Sequence, residues 1–451
     1  MDASDRDRRA AQAREVADRL AGEGVEGVAL TWVDTSGITR VKAVPLARLA
    51  HAAAWGAGAA AVFDAFLVDD GSVRGRYAGG PVGDLRLHPD LGRVVTLAAA
   101  PGWAWAPGDR FDQAGSPHPL DARWLLRREL DRLGSGLAVL AGFEIEWCVS
   151  RGPGDEFVPA TTGPAYGMTR LVELAPYLRA VLAALTAQGV VVEQIHPEYS
   201  PGQFEVAVAP ADPLAAADTV VLVQETVRAV SLAHGLRATF APKVVAGQVG
   251  NGRHVHLSVL RDGMTAMSGG AGPFGLDRAG EAFAAGILAR LPALLALGAP
   301  SVASYLRLVP SQWASAYACW GLENREAALR LVAGESANVE VKCVDAAANP
   351  YLLLAGLLAA GRAGIAAGAR LPDPVADDPE ALPPGERAAR GIDRLPATLA
   401  AAVAEFEADE VLGEALGPAV VDTVVAVRRG EIALFDGAGD EAVVAATRWR
   451  Y

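Results

Sequence analysis

Apolar and polar positions along the chain predict a mixture of strands and helices. Val25–Val33 and Val139–Val149 are largely apolar over short lengths, as expected for strands. Thr169–Gln188 has the spacing of an amphipathic helix, and Pro213–Gly235 predicts a long helix that ends on a glycine. Strands and helices do not alternate with the rhythm of a parallel sheet, so the pattern predicts an α+β fold.

The predicted strands dominate roughly the first hundred residues. We expect a small β-rich domain over residues 1–105 and a larger domain over residues 106–451. Between them, Pro101–Pro119 carries four prolines and several glycines, which predicts a connector.

The stretch Val191–Val208 predicts a hairpin with charged residues at its turn. Its first strand ends near His196 and Glu198, and its second begins near Glu205. Ser200-Pro201-Gly202 predicts the turn, because proline presets φ and glycine accepts a positive φ. Two carboxylates brought together in this way repel and need a cation or a shared proton. A solvated polar hairpin end is the alternative for this stretch alone.

Two further strands carry chemistry on one face. Glu144 and Glu146 alternate within an apolar strand, and buried carboxylates need partners or a metal. His254, His256 and Ser258 repeat with period two after a glycine-rich turn. A solvated strand face remains the alternative for the acids, and core histidines remain the alternative for the imidazoles.

Fixed positive charge follows in the last third of the chain, at Arg307, Arg325 and Arg330, with Glu340 and Lys342 close behind. Such charge suits a polyphosphate or a phosphoryl group in transfer. A surface salt bridge explains each arginine taken alone. Together with the acids and histidines, they support a hypothesis of divalent metals that hold nucleotide phosphates.

Composition and charge narrow the class of protein. A net charge of −13 over 451 residues argues against a nucleic-acid partner. Three cysteines are too few for a disulfide framework or zinc cluster and favour a reducing cytoplasm. The charged start lacks a signal peptide's apolar core, and no uninterrupted apolar run reaches the ~18 residues of a membrane span.

Six dispersed segments occur in an order that resembles the glutamine synthetase family across nearly the whole chain. They are GFEIE, HPEYSPGQFE, ATFAPK with GNGRHVHLS, SYLRLVP, ENREAALR and NVEVKCVDAAANPYL. The resemblance implies a β-grasp-like N-terminal domain (residues 1–105) and a glutamine-synthetase-like catalytic domain (residues 106–451). It also implies a homo-oligomer of two stacked hexameric rings.

The resemblance implies two or more Mg²⁺ or Mn²⁺ ions per subunit, with ATP as co-substrate. One metal, facing the amino acid and the amine, would be held by Glu146, Glu198 and Glu205. The second metal, on the nucleotide phosphates, would be held by Glu144, His254 and Glu340.

The resemblance also implies roles for other side chains. Asp64 matches the residue that deprotonates ammonium and reaches in from a neighbouring subunit, and Arg307 matches the arginine that grips the substrate carboxylate. Arg325 and Arg330 match arginines that stabilise the γ-phosphoryl group during its transfer. The expected nucleotide site includes Ser258, His256 and Asn338, and the substrate site includes Gly250 and Lys342; Asn338 and Lys342 each replace a family arginine.

Departures at the amine site suggest the nucleophile. Trp313 stands where the family has a glutamate that helps to hold ammonium, and Phe66 and Leu67 replace small residues. Ammonium needs several acceptors once desolvated, whereas a carbon chain packs on apolar walls. We therefore expect an ATP-dependent γ-glutamyl ligase for an organic amine. A monoamine or alkanolamine such as ethanolamine is favoured over a polyamine, since a distal charge would want another acid.

Two alternatives stay open at this point. An ammonia-using glutamine synthetase could rely on Asp64 alone, although loss of one acid–base group costs roughly 10²–10⁴-fold in rate. A catalytically inactive structural or regulatory homologue is favoured slightly by Asn338 and Lys342. The complete set of expected metal ligands argues against an inactive protein.

Overall fold

The computed structural model describes residues 2–451 and contains two principal sheets with helices packed on them. This arrangement confirms the expected α+β class. The α-helices are α1 Ala3–Gly22, α2 Leu49–Trp55, α3 Ala122–Asp131, α4 Met168–Glu173, α5 Ala175–Ala187, α6 Pro213–Ala233, α7 Arg278–Gly298, α8 Pro350–Ala367, α9 Pro384–Ala389, α10 Leu399–Ala408, α11 Glu410–Leu416, α12 Pro418–Leu434 and α13 Asp440–Thr447.

The N-terminal sheet has the order β2-β1-β6-β4-β3, with β5 paired to β6. Its strands are β1 Gly27–Val33, β2 Thr39–Pro45, β3 Ala57–Ala59, β4 Leu85–Pro89, β5 Val95–Thr96 and β6 Trp103–Phe111. β1 and β6 run parallel, and the other pairs are antiparallel. Buried apolar residues of β1, β4 and β6 pack against α1 and α2 in a core of their own.

The prediction of a connector over Pro101–Pro119 was wrong, because Trp103–Phe111 within it forms strand β6. Its pairing with β1 ends at Pro107, and its pairing with β4 begins at Gly108. The proline lies where the strand changes partner, and a missing N–H is tolerated better there than within an unbroken ladder. Because β6 crosses residue 105, we propose that the domain boundary lies between Phe111 and Ala122.

The second sheet lies in the expected catalytic domain and is called the catalytic sheet below. It has the order β14-β15-β16-β11-β7-β9-β8, with β10 paired to β7 and β12 to β11. Its strands are β7 Leu137–Arg151, β8 Val192–Pro197, β9 Gln203–Ala211, β10 Leu236–Thr239, β11 Val255–Arg261, β12 Met264–Thr265, β14 Trp320–Leu322, β15 Leu329–Val332 and β16 Asn338–Val341. A small separate sheet pairs β13 Tyr317–Ala318 with β17 Asp393–Arg394. The predicted hairpin is β8 and β9, and Gly202 in its turn has φ +71°.

The predicted helix Thr169–Gln188 is divided into α4 and α5. Leu174 leaves helical geometry at φ −111° and ψ 17°, and Pro176 lies at the start of α5. Proline has no N–H for the preceding helix to bond, but it is tolerated in a first turn. After the break, α4 lies against the turn of the β8–β9 hairpin, where its Arg170 donates to the carbonyls of Glu198 and Ser200.

Helices α7 and α8 are long and apolar enough to cross a membrane by length and composition, but 83% and 72% of their apolar windows are buried. They pack closely together, since a Cβ on Gly286 would lie 2.3 Å from the carbonyl oxygen of Ala360. Burial of this kind is typical of core helices, and both contribute to the principal core beneath the catalytic sheet.

A buried ionic network joins the two sheets' layers. The guanidinium of Arg123, on α3, donates to Asp218 on α6 at 2.9 and 3.0 Å. It also donates at 2.7 Å to Asp109, within β6, and to Asp90, which directly follows β4. The hydroxyl of Tyr351 also donates a 2.8 Å hydrogen bond to Asp218. The network fixes the N-terminal layer against the catalytic helices.

Candidate functional site

A pocket of about 900 Å³ opens at one end of the catalytic sheet. Seven regions line it: strand β7, the loop at Tyr166, the hairpin β8–β9, the loop before β11, the loop after Arg307, the turn at Arg325 and the segment around Lys342. Most of the side chains singled out in the sequence therefore meet at one place.

Strand pairing explains how the hairpin residues reach Glu146. On neighbouring strands Glu146 lies directly opposite Glu205, and Glu205 lies directly opposite His196. Directly opposed residues project from the same face of a sheet. Glu146, Glu205 and His196 therefore form a row across three strands at the pocket floor.

The acids and histidines form three groups whose candidate ligand atoms lie within 4.8 Å of one another. They are Glu144 with Glu205 and His254, Glu144 with His256 and Glu340, and His196 with Glu198 and Glu205.

This grouping differs from the two expected triads. His256 stands beside Glu144 and Glu340, and His196 joins Glu198 and Glu205. Glu146 accepts a 2.8 Å hydrogen bond from Gln203. All six expected ligands converge, but their division between two ions remains a prediction.

Electrostatics at the hairpin end favour a bound cation. Burial, followed by repulsion from Glu146 and Glu205, raises the pKa of Glu198 to about 7. Burial also raises the pKa of Glu205. The hydrogen bond that His196 donates to the Glu205 carboxylate raises the pKa of His196 to about 9, so its imidazolium offsets part of the negative charge.

Around Glu144 and Glu340, on the other side of the acidic cluster, neighbouring side chains already supply compensating positive charge. Burial alone would raise the pKa values of Glu144 and Glu340, but neighbouring cations hold both below their usual range. For Glu340 the largest of these is Lys342, whose Nζ lies 3.1 Å from the carboxylate. His254, despite burial and Lys342, has its pKa raised to about 9 by hydrogen bonds with Glu144 and Glu340.

The donor set fits hard divalent ions. Carboxylate oxygens dominate each group, and imidazole nitrogens supply the rest. Mg²⁺ and Mn²⁺ favour oxygen ligands, and Mn²⁺ also accepts imidazole. The crowding of buried carboxylates around Glu205 is the structural observation that agrees with such an ion.

The arginines differ in how freely they face the pocket. Arg307 is buried and donates at 3.2 Å to the carbonyl of Lys342, while its Nη1 has no hydrogen-bond partner within residues 2–451. Arg325 is exposed and lines the pocket. Arg330 instead lies against Glu323 and, at 3.2 Å, Glu340.

The expected nucleotide residues lie beside one another on β11 and β16. His256 bonds Asn338 at 2.9 Å, and Ser258 donates at 3.1 Å to the carbonyl of Ala337. Gly250 lines the pocket, where a Cβ would lie 2.0 Å from the carbonyl oxygen of Pro242. Only glycine fits that position. The nucleotide roles of His256, Ser258 and Asn338 and the substrate role of Gly250 remain predictions.

Asp64 and Phe66 do not line the pocket of their own chain. Asp64 is 1% exposed, and its carboxylate accepts a 2.7 Å hydrogen bond from buried Arg110. Phe66 packs edge-on against Phe63. In this conformation Asp64 has no free surface to offer a neighbouring subunit, which argues against its expected role as the amine base.

Two positioning residues escaped the sequence analysis. Gln203 donates to Glu146, to the carbonyl of Gly250 and to Asn251, all within 3.0 Å. Arg170 donates to the carbonyls of Glu198 and Ser200 at 2.7 Å and so holds the hairpin turn. Gln203 could have been found from the sequence, because it directly follows the predicted turn. Arg170 could not, because it belongs to a different segment of the chain.

Comparisons with known proteins agree with this geometry. The model of the "Glutamine synthetase, catalytic domain" family matches residues 119–444. The chain belongs to the glutamine synthetase family. This glutamine synthetase family member is therefore an ATP-dependent ligase that acts on small molecules.

Three relatives show how far the similarity extends. Gamma-glutamylpolyamine synthetase GlnA3 of Streptomyces coelicolor is 54% identical over 98% of this chain and 97% of its own. A solved novel glutamine synthase homolog is 37% identical, with a TM-score of 0.85 over 95% of this chain and 99% of its own. The solved GmaS/ADP complex is 30% identical, with a TM-score of 0.83 over 94% and 97%.

Proposed function

We propose that this ligase joins the γ-carboxylate of glutamate, through γ-glutamyl phosphate, to an organic amine, and that the amine is a polyamine. The S. coelicolor relative, 54% identical over nearly the full length of both chains, is named a gamma-glutamylpolyamine synthetase. A family fold shared with ammonia-using enzymes does not select the amine. The residues at the pocket mouth carry that part of the proposal.

The observation that carries the proposal is a set of exposed aromatic rings in the pocket that Glu198 also lines. Tyr166, Tyr199 and Trp313 line the pocket and are 48%, 53% and 52% exposed. The backbone N–H of Tyr166 donates at 3.4 Å to the carbonyl of Glu198, and the backbone N–H of Tyr199 donates at 3.1 Å to the Glu198 carboxylate. Aromatic faces attract ammonium groups and pack against methylene chains, so this mouth suits an alkylamine better than a bare ammonium ion.

This proposal corrects the preference for ethanolamine or another monoamine. That preference assumed that a second ammonium group needs another carboxylate. Cation–π contacts supply an alternative at about 0.5–2 kcal/mol each, and three rings are available at the mouth. The polyamine named in the relative is therefore compatible with the pocket.

The chain's own residues divide the chemistry between binding and charge neutralisation. Divalent ions, when bound by the acidic groups, supply positive charge against the phosphoryl oxygens. Arg307, with an unpartnered buried Nη1, is suited to the substrate carboxylate, and exposed Arg325 is suited to the phosphoryl group.

The proposal is tested by phosphate release with glutamate, ATP and Mg²⁺ and a panel of ammonium, ethanolamine, putrescine and spermine. We expect the polyamines to give the highest kcat/KM, about tenfold or more above ammonium, since an apolar wall replaces the family's acid at Trp313. Omitting glutamate is the control and should abolish the amine-stimulated signal. Higher kcat/KM with ammonium than with every organic amine would contradict the proposal.

The glutamine synthetase that uses ammonia remains the second candidate, and the panel separates the two. A double hexameric ring and a cytoplasmic location remain predictions from the resemblance and the composition.

A further inference from the structure

Glu326 is a buried acid that none of the expected roles uses. Its side chain is 9% exposed, and it follows Arg325 directly in the chain. Its Oε1 accepts a 2.7 Å hydrogen bond from the backbone N–H of Trp313. One buried carboxylate thus holds the Trp313 amide of the loop that contributes this ring to the pocket.

That loop, residues 311–315, is the mouth loop, and it has an unusual backbone. Ser311, Trp313 and Ser315 have φ of +55°, +54° and +63°. Residues other than glycine rarely occupy this region, and such conformations persist only where surrounding contacts enforce them. The position of the Trp313 ring therefore depends on contacts that hold the mouth loop.

Two contacts that hold the mouth loop reach one turn, residues 324–326, while the Oγ of Ser311 donates at 2.7 Å to Asp378. The Oγ of Ser315 donates at 3.3 Å to the carbonyl of Arg325, next to Glu326. Asn324 accepts a 2.9 Å bond from the Glu326 amide. The Nδ2 of Asn324 donates at 2.9 and 3.0 Å to the carbonyls of Val375 and Asp377. The turn 324–326 is thus anchored to the segment behind it and can act as a fixed support.

The same turn serves both ends of the pocket. Arg325 lines the pocket, whereas Glu326 does not line it and instead accepts the hydrogen bond from the Trp313 amide. The turn that holds Trp313 in place therefore also carries Arg325, the arginine suited to the phosphoryl group. A change at Glu326 should alter the amine mouth without removing any group that touches glutamate or ATP.

We propose that Glu326 is a positioning residue that fixes Trp313 at the pocket mouth and thereby sets the preference for an organic amine. The part that concerns the amine rests on the proposed function. The part that concerns the mouth loop rests on the contacts of Glu326 alone. Glutamine at this position keeps an oxygen that accepts N–H bonds, whereas alanine removes it.

The test compares E326A, E326Q and the wild-type ligase. We expect E326A to raise the KM for spermine about tenfold, the loss that one charge-assisted hydrogen bond supports, with the KM values for glutamate and ATP within about twofold. E326Q should retain the wild-type KM values. E335A, which removes an exposed glutamate from a nearby turn, is the matched control and should behave as wild type.

Amide hydrogen exchange of the peptide covering residues 311–315 tests the positioning separately. E326A should exchange faster there than wild type and E326Q, while peptides of the catalytic sheet remain unchanged. Unchanged exchange and an unchanged spermine KM in E326A would overturn the proposal, as would an E326Q enzyme as impaired as E326A. If wild type shows no turnover with amines, the proposed function fails, and the exchange result still decides the role of Glu326.

Discussion

Replacing Glu205 with glutamine is expected to lower kcat by about 10²- to 10³-fold, the range for loss of one preorganised electrostatic group. Glu205 contributes to two of the three candidate ligand groups and lies opposite both Glu146 and His196. Its removal therefore weakens cation binding at both ends of the pocket. The measurement is the rate of phosphate release over a Mg²⁺ titration.

Stability separates this loss from misfolding. Burial and neighbouring carboxylates raise the pKa of Glu205 in the folded protein, so its ionised form destabilises the metal-free fold at neutral pH. Metal-free E205Q should therefore unfold at the same or a higher temperature than wild type. E193Q, at an exposed position on the same hairpin, is the matched control for activity. Full activity of E205Q would rule out a metal role for this acid.

Replacing Arg325 with alanine is expected to lower kcat by about 10³-fold, the lower range for an arginine that stabilises a phosphoryl group in transfer. Arg325 is exposed in the pocket, whereas Arg330 is engaged by Glu323 and Glu340. Arg325 is therefore the better placed of the two for the γ-phosphoryl group. Single-turnover phosphate release measures the step directly.

Lysine at the same position should recover part of the rate, because it keeps the charge but loses the planar fork. R179A, at an exposed position on α5, is the control for loss of an arginine as such. An R325A enzyme that loses only affinity for the amine would contradict the assignment to the phosphoryl group.

The acids of the site could be predicted from the chain because strand geometry is local. Period-two spacing puts Glu144 and Glu146 on one face, and a tight turn brings Glu198 back towards Glu205. Their grouping could not be predicted. It depends on the registers of β7, β9, β11 and β16 and on which imidazole turns towards which carboxylate.

Other features depend on contacts that a local pattern does not encode. Pro107 suggests a connector until the change of strand partner is known. The expected role of Asp64 as an amine base remains a prediction, and its hydrogen bond with buried Arg110 could not be predicted from the chain. The support of Trp313 by Glu326 joins a backbone amide to a side chain 13 residues away. No periodicity marks such a bond.

The central claim is that the ligase selects an organic amine over ammonium, and one competition measures this directly. Equimolar ammonium and spermine are supplied together with glutamate, ATP and Mg²⁺, and the products are quantified by mass spectrometry. We predict that γ-glutamylspermine accumulates in clear excess over glutamine. Glutamine as the principal product would contradict the account.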